Sequence, residues 1–152
     1  MKLNNAFHAS ASALTAQRLR MDVIASNIAN ADTTRGRYVE GNWVPYQRKM
    51  VVMEPIRQTR SFDEVFQSEL KSSDQTAGVK VTEIIEDDTP FKRVYDPTHP
   101  DADEEGFVLM PNVDPLKEMV DMISATRSYE ANVTALNATK SMFMKALEIG
   151  RR

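Results

Sequence analysis

An apolar repeat of seven residues at each end of the chain constrains the fold more than any other feature. Phe7, Leu14, Met21 and Ile28 recur at that interval, with Leu3 and Ile24 on interleaved positions. Near the other end Met122, Tyr129, Leu136 and Phe143 recur in the same way, with Met119, Val133 and Leu147 interleaved. A narrow apolar seam on a helix has to be covered by another helix. A chain that begins and ends like this either pairs its own termini or offers both to neighbouring copies. Gln17 interrupts the first seam, and Thr126 and Lys140 interrupt the second. Polar seam positions fix register and partner choice when covered, and are simply solvated when they lie at a seam's edge.

Residues 3–31 are rich in alanine and contain neither Gly nor Pro, which predicts one helix ending near Asn30–Asp32. Its alanines at 9, 11, 13, 16, 25 and 29 leave little bulk away from the seam, so other helices can approach on more than one face. At the far end Asp114 is the expected N-cap and Pro115 the first helical residue, with the helix running to about Ile149 and stopping at Gly150. A helix of that length suits a coiled coil better than a small globule.

The middle reads differently. Loose alternation over 38–60, with Gly41 and Pro45, predicts short strands and turns. One or two helical turns are expected around Phe62, Val65, Phe66 and Leu70, then a polar loop tip from Ser72 to Gly78. Val79–Ile85 reads as a strand, with Phe91, Val94 and Tyr95 expected as its partner, and Phe107–Met110 as a last short strand. Charge divides along the same lines. Residues 61–106 hold 13 acidic and 4 basic side chains, and the rest of the chain 9 acidic and 15 basic. The acidic middle is expected to face solvent.

The net charge of −3 does not suggest a phosphate-binding protein. The chain has no cysteine, which rules out disulfides, thiolate nucleophiles and cysteine zinc sites. No stretch approaches the ~20 apolar residues that span a bilayer, and the start lacks the pattern of a cleaved secretory signal. Any export is therefore expected to leave the N-terminus uncleaved.

The segment Tyr95–Gly106 is the most tempting place for chemistry. Asp101, Asp103 and Glu105-Gly106 follow the order of the first half of an EF-hand loop, but position twelve is then Asn112, which lacks the bidentate carboxylate, and Pro111 breaks the exiting helix. A rigid, proline-braced turn feeding the strand at 107–110 is the better expectation. A metal-dependent enzyme centred on Asp96, His99, Asp101 and Asp103 is a distant rival. No serine-nucleophile or phosphate-loop pattern accompanies it. His8 has serine at i+4 and no ligand partner, so both histidines read as structural. The two Asn-x-Thr matches at Asn132 and Asn137 fall inside the expected helix and read as chance. The methionines of the last helix, at 119, 122, 142 and 144, read as packing residues.

Three segments carry a family resemblance. Ser12-Ala-Leu14-Thr-Ala16-Gln17-Arg18-Leu19-Arg20-Met21-Asp-Val23-Ile-Ala25-Ser-Asn27-Ile28-Ala29-Asn30-Ala31-Asp-Thr33 resembles the N-terminal signature shared by flagellar rod, hook and hook-associated proteins. Tyr95-Asp96-Pro97-Thr-His99-Pro100-Asp101-Ala102-Asp103-Glu-Glu-Gly106-Phe107-Val108 and Pro111-Asn112-Val113-Asp114-Pro115-Leu-Lys-Glu118-Met119-Val120-Asp121-Met122-Ile123, continuing as Arg127-Ser-Tyr129-Glu130-Ala131-Asn132, narrow this to the proximal-rod branch of the flagellar basal-body rod family. The chain departs from the family pattern at Thr33-Thr34-Arg35-Gly36, which replaces Thr-x-Gly-Tyr, and at Phe107, where tyrosine is common.

The resemblance implies a mainly α protein with a small β insertion. Long N- and C-terminal helices form an antiparallel coiled coil around an irregular, short-stranded β middle domain. On this expectation 1–31 and 113–152 are the arms of one discontinuous coiled-coil domain. Residues 32–112 form the middle domain, with a flexible loop near 71–78. The resemblance further implies a structural subunit, not an enzyme, with no cofactor, metal, nucleic acid or small-molecule substrate. It would be exported by the flagellar type III apparatus and polymerise outside the inner membrane with copies of itself and other rod proteins. The expected assembly interface is Phe7, Leu14, Met21, Ile24, Asn27, Ile28, Asn30, Met119, Met122, Tyr129, Val133, Leu136, Phe143 and Leu147. Asn27 and Asn30 are expected to satisfy backbone groups where the first helix ends. The termini are expected to be mobile before assembly. The alternative is a soluble helical hairpin acting as an adaptor or export chaperone.

Overall fold

A computed structural model describes residues 2–57 and 76–150. Helix α1 spans Lys2–Ala29 and helix α2 spans Pro115–Gly150. Between them, among the described residues, lie strands β1 Arg37–Val39, β2 Asn42–Val44, β3 Lys49–Arg57, β4 Thr76–Glu86, β5 Lys92–Tyr95 and β6 Phe107–Met110. Two helices flanking paired strands are the expected outline.

Both helix ends follow their local chemistry. At the end of α1 the Asn30 N–H donates to Ser26 O at 3.1 Å, and the turn then tightens as Ala31 N donates to Ile28 O at 3.2 Å. The Asn30 side chain adds a second donor to Ser26 O at 2.8 Å. At the start of α2, Asp114 Oδ1 accepts from Leu116 N at 3.1 Å while Asp114 O accepts from Glu118 N at 3.0 Å. That is the N-cap arrangement, with Pro115 where its missing N–H costs nothing.

The strands pair in twos. Strands β1 and β2 form an antiparallel hairpin, Tyr38 opposite Trp43, with Glu40 and Gly41 both at positive φ in the two-residue turn. Gly36, beside the altered family motif, sits where a Cβ would lie 2.7 Å from Tyr46 N. Only glycine lets the two backbones cross there, and they exchange Gly36 N to Val44 O at 2.9 Å and Tyr46 N to Thr33 O at 3.1 Å. Strand β3 pairs with β4. Strand β5 pairs antiparallel with β6, from Lys92 opposite Met110 to Tyr95 opposite Phe107.

The strand over 79–85 was expected to pair with Phe91–Tyr95, and this is corrected. Pro90 and the Asx turn at Asp87, whose Oδ1 accepts from Thr89 N at 3.0 Å, leave no tight hairpin between β4 and β5. Strand β3, of 9 residues, matches the length of β4 far better than the 4-residue β5 does. The proline-braced turn before β6 is present: Asp96 N donates to Gly106 O at 3.0 Å and Asp103 N to Phe107 O at 2.9 Å. Phe107 meets Tyr95 edge-on at 5.3 Å, with the Arg93 guanidinium 4.9 Å over its ring. The helical turns expected around Phe62–Leu70 lie outside the described residues, as does 71–75 of the expected loop. Thr76–Gly78 already belong to β4.

The chain divides into two compact units. One gathers the described residues within 1–18, 53–82 and 127–152. Here β4 lies against the small face of α1. Ser12 Oγ accepts from Val79 N at 3.1 Å and donates to Ala9 O at 2.8 Å. Gly78, at φ +136°, has Ser12 so close that a Cβ would collide with its hydroxyl. Ala16 and Thr139 are buried in this unit.

The other unit comprises 19–52 and 83–126. Its core holds Val23, Ile24, Val108, Pro111, Val113 and Ala125, together with two polar side chains, Asn27 and Glu118. In this unit Asn27 meets Glu118, Arg20 meets Asp121, and Thr126 Oγ1 lies 3.6 Å from Met21 Sδ. The numbers fall along α1 as they rise along α2, so the two helices run antiparallel here.

Candidate assembly interface

The interior of the second unit is organised around polar atoms. Helix α1 places Asn27 on its inward face, three residues after buried Ile24. All four hydrogen-bonding positions of its amide are used. Oδ1 accepts from Lys49 N at 3.0 Å and from the Tyr46 hydroxyl at 3.1 Å. Nδ2 donates to Lys49 O at 2.9 Å and to Glu118 Oε2 at 3.0 Å. Asn27 thus grips the start of β3 as a neighbouring strand would. The sequence placed it at the helix end. Asn30 does bond there, whereas Asn27 serves a backbone 22 residues away.

Glu118, 1% exposed, enters the same junction from the first turn of α2. Its second oxygen accepts from Arg48 Nε at 2.7 Å. Arg48 reaches onward to Asp87 at 3.4 Å and to Asp121 at 3.6 Å, and Asp121 also faces Arg20 at 3.6 Å. Asn112 closes the ring: its Oδ1 accepts from Arg48 N at 2.7 Å, and its Nδ2 faces Asp87 O and Thr89 O, each at 3.0 Å. A buried carboxylate survives only when paired and bonded in this way. Asp87 is held below the ordinary carboxylate range. The Thr89 N–H is the main cause, followed by the Thr89 hydroxyl and the Arg48 guanidinium, against the opposing effect of burial. For Arg48 burial acts downward, but the hydrogen bonds and charges of Glu118 and Asp87 outweigh it and hold the guanidinium protonated more firmly than usual.

The acidic turn is spent on structure. Asp101 accepts from Arg35 Nε and Thr34 Oγ1, each at 2.8 Å, and its carboxyl is held low mainly by Arg35 and then by Thr34. His99 Nδ1 accepts from Asp101 N at 3.1 Å, Asp96 Oδ1 accepts from the Thr98 hydroxyl at 2.6 Å, and Asp103 is exposed. Among the described residues no three His, Cys, Asp or Glu side chains converge on a shared metal position.

The expected interface residues spread over a range of burial. Ile24 and Asn27 are buried. Leu14, Met21, Ile28, Asn30, Met122, Tyr129, Val133 and Leu136 are half-buried, and Phe7, Met119, Phe143 and Leu147 are exposed. On α2 the deepest line is Glu118, Ala125 and Thr139, with half-buried Asn132 between them. It is a small and polar stripe, and the bulky repeat from Met122 runs along its edge. Among the interrupting residues, Gln17 Oε1 is buried without a hydrogen-bond partner, the one such side-chain atom among the described residues. Thr126 returns its hydroxyl to Met122 O at 2.9 Å, and Lys140 is exposed. Sequence reasoning overlooked Leu116, Val120 and Ile123, exposed at 75%, 66% and 60% on the side of α2 away from Glu118 and Ala125. Their i, i+4, i+7 spacing was the available signal. The last turns of α2 add exposed Met142, Met144 and Ile149 beside Phe143 and Leu147. Lys140, Ser141, Lys145 and Glu148 keep one face of these turns polar, and the exposed apolar remainder is a face for a neighbour to cover.

Comparison with known proteins gives a flagellar basal-body rod family at each end. Residues 7–36 match the family described as flagella basal body rod protein, and residues 104–149 match the C-terminal family of flagellar basal body rod FlgEFG proteins. The chain is 61% identical to the flagellar basal-body rod protein FlgC of Bacillus subtilis, over 96% of this chain and 99% of that protein. It is 46% identical to FlgC of Escherichia coli O6:H1, over 99% of this chain and all of that protein. It is 42% identical to FlgC of Borreliella burgdorferi, over 98% of each. With three strand pairs and a polar junction set between terminal helices, and with relatives this similar along nearly the whole length, the chain belongs to the flagellar basal-body rod protein family.

Proposed function

We propose that this chain is a structural subunit of the rod of the bacterial flagellar basal body, in its proximal part. The observation that carries the reading is the identity, 61% over nearly the full length, to a protein named as a basal-body rod subunit. The physical features support it. The exposed apolar side chains lie on the terminal helices and the hairpins, where neighbouring subunits would cover them, and the polar clusters are consumed by internal bonds.

In the rod the two helices pair as an antiparallel coiled coil along their length, and residues 32–112 form the middle domain between the arms. The interface comprises the exposed and half-buried seam residues from Phe7 to Asn30 and from Met119 to Leu147, covered by copies of this chain and by other rod proteins, while Ile24 and Asn27 of the same seam are already covered within one copy. The subunit reaches its place, outside the inner membrane, through the flagellar type III apparatus, and it works without catalysis or cofactor. Mass spectrometry of detergent-purified hook–basal bodies tests this. Recovery of the chain in fixed proportion to other rod proteins is expected. Its confinement to the soluble fraction, with intact basal bodies lacking it, would establish the soluble adaptor or export chaperone instead.

A further inference from the structure

The second unit carries a convex apolar patch and an open groove. The patch is Leu116, Val120 and Ile123 on the outer side of α2, flanked by exposed Lys117. The groove, about 450 Å³, is lined by Val23 and Ile84 with Ser26, and rimmed by Asp22, Lys49 and Glu86. Ile84 is 44% exposed, a large apolar side chain left uncovered on this unit. The rim charges differ in how they are engaged. Glu86 faces Arg37 at 3.7 Å, and Lys49 Nζ lies 5.7 Å over the Tyr46 ring. Asp22 sits at the rim on an exposed helix position.

We propose that the Leu116–Val120–Ile123 patch of one copy docks into the Asp22–Ile84 groove of a second copy. The inference rests on the rod reading and specifies which faces meet. Three arguments select a second copy as the occupant. The apolar pieces are complementary in form, a projecting ridge of branched side chains against a groove floored by Val23 and Ile84. The charges are complementary, since Lys117 beside the ridge meets Asp22 on the groove rim, where Glu86 is already engaged with Arg37. Both surfaces belong to the same compact unit, so the contact is heterologous. Each copy offers a ridge to one neighbour and a groove to the next, and such contacts propagate as an open helical array instead of closing as a dimer.

The chain has no native cysteine, so introduced thiols report unambiguously. Cells would co-produce two full-length variants, Ile84→Cys and Val120→Cys, and purified basal bodies would be treated with a short bifunctional thiol cross-linker and digested. The expected result is a peptide joining position 84 of one chain to position 120 of another, absent when either variant is produced alone. A second pair, Ser26→Cys with Ile123→Cys, reads the same contact where the first pair is not incorporated. Incorporated pairs without a joined peptide overturn the docking and leave the rod reading intact. Cross-linked dimers from a single variant also overturn it, because they require a face-to-face contact. Absence of the unmodified chain from basal bodies overturns the rod reading itself.

Discussion

At the residue scale, Asn27 and Glu118 show how a polar core can be specific. An asparagine that donates twice and accepts twice admits one arrangement of α1, β3 and α2. A leucine there would fill the space and specify nothing. Arg48 and Glu118 follow the same logic with charge. Arg48→Met leaves the Glu118 carboxylate buried and unpaired, and is expected to cost about 3–5 kcal/mol in urea unfolding. Adding Glu118→Leu should recover part of that loss, since paired apolar residues often replace a buried ion pair without penalty, the remainder being the buried Asn27 Nδ2–H that loses its acceptor. If the double variant is as unstable as Arg48→Met alone, the pair is not the reason Arg48 matters. Little of this was legible in the sequence. Glu118 reads as an ordinary acidic residue in a first helical turn, and no local pattern marks that it will face Arg48, 70 positions earlier.

Asp87 and Asp101 contribute to the acid response. Both carboxyls have lower pKa values folded than unfolded. Their contribution is therefore complete above the ordinary carboxylate range, near pH ~4, and is lost as pH falls through the lowered folded values. Thermal midpoints should hold steady down to that range and then drop. Asp101→Asn should lower the neutral-pH midpoint and make the acid drop shallower. An unchanged acid slope in that variant would remove Arg35–Asp101 from the account.

At the element scale, periodicity carried the reading of the helices, and their ends fell within a residue or two of the caps because caps are local chemistry. Strand pairing was not local, and Phe91–Tyr95 was assigned to the wrong partner. Adjacency in sequence favoured β4 with β5, whereas strand length and Pro90 decide for β3. The alanines of α1 were read as surfaces for other helices, yet at Ala9 and Ser12 the small face receives a strand. Two glycines separate strain from contact. Gly41, at φ +92°, has open space around it, while Gly78, at φ +136°, has Ser12 against it. Gly41→Ala is expected to cost about 1 kcal/mol of backbone strain, and Gly78→Ala more. Ser12→Ala combined with Gly78→Ala should lose less than the two single losses summed, as contacting sites do. Additive losses in thermal melts would place the collision elsewhere.

The seam on α2 allows a further test at this scale. Leu136 is half-buried beside the Asn132–Thr139 line. Leu136→Asp brings an unpaired charge to a surface that assembly has to cover. Motility should be abolished while cellular levels of the chain remain near normal. A strain that swims normally with this substitution would exclude Leu136 from the interface.

At the scale of the whole molecule, burial along each helix is graded. On α1, residues 5–8 are exposed, Ala16 is buried, and Val23, Ile24 and Asn27 lie in the core of the polar junction. On α2, Glu118 and Ala125 are buried, and every residue from 140 to 150 is exposed. Local opening is easiest where few apolar contacts and many solvated backbone bonds coincide. Hydrogen exchange of the free chain should therefore be fast over 5–8 and 140–150 and slowest over 23–27 and 118–125. The same amides near both termini should slow by orders of magnitude in purified rods, because a segment ordered by its neighbours acquires its stability from them. Uniform strong protection across 5–28 in the free chain would mean that the seam is already satisfied within one copy. Fast exchange that persists in the rod would mean that the helix ends are not what neighbouring subunits cover. The distinction matters for building the rod, since a subunit whose termini are finished only by its neighbours is kept from polymerising until it meets a growing end.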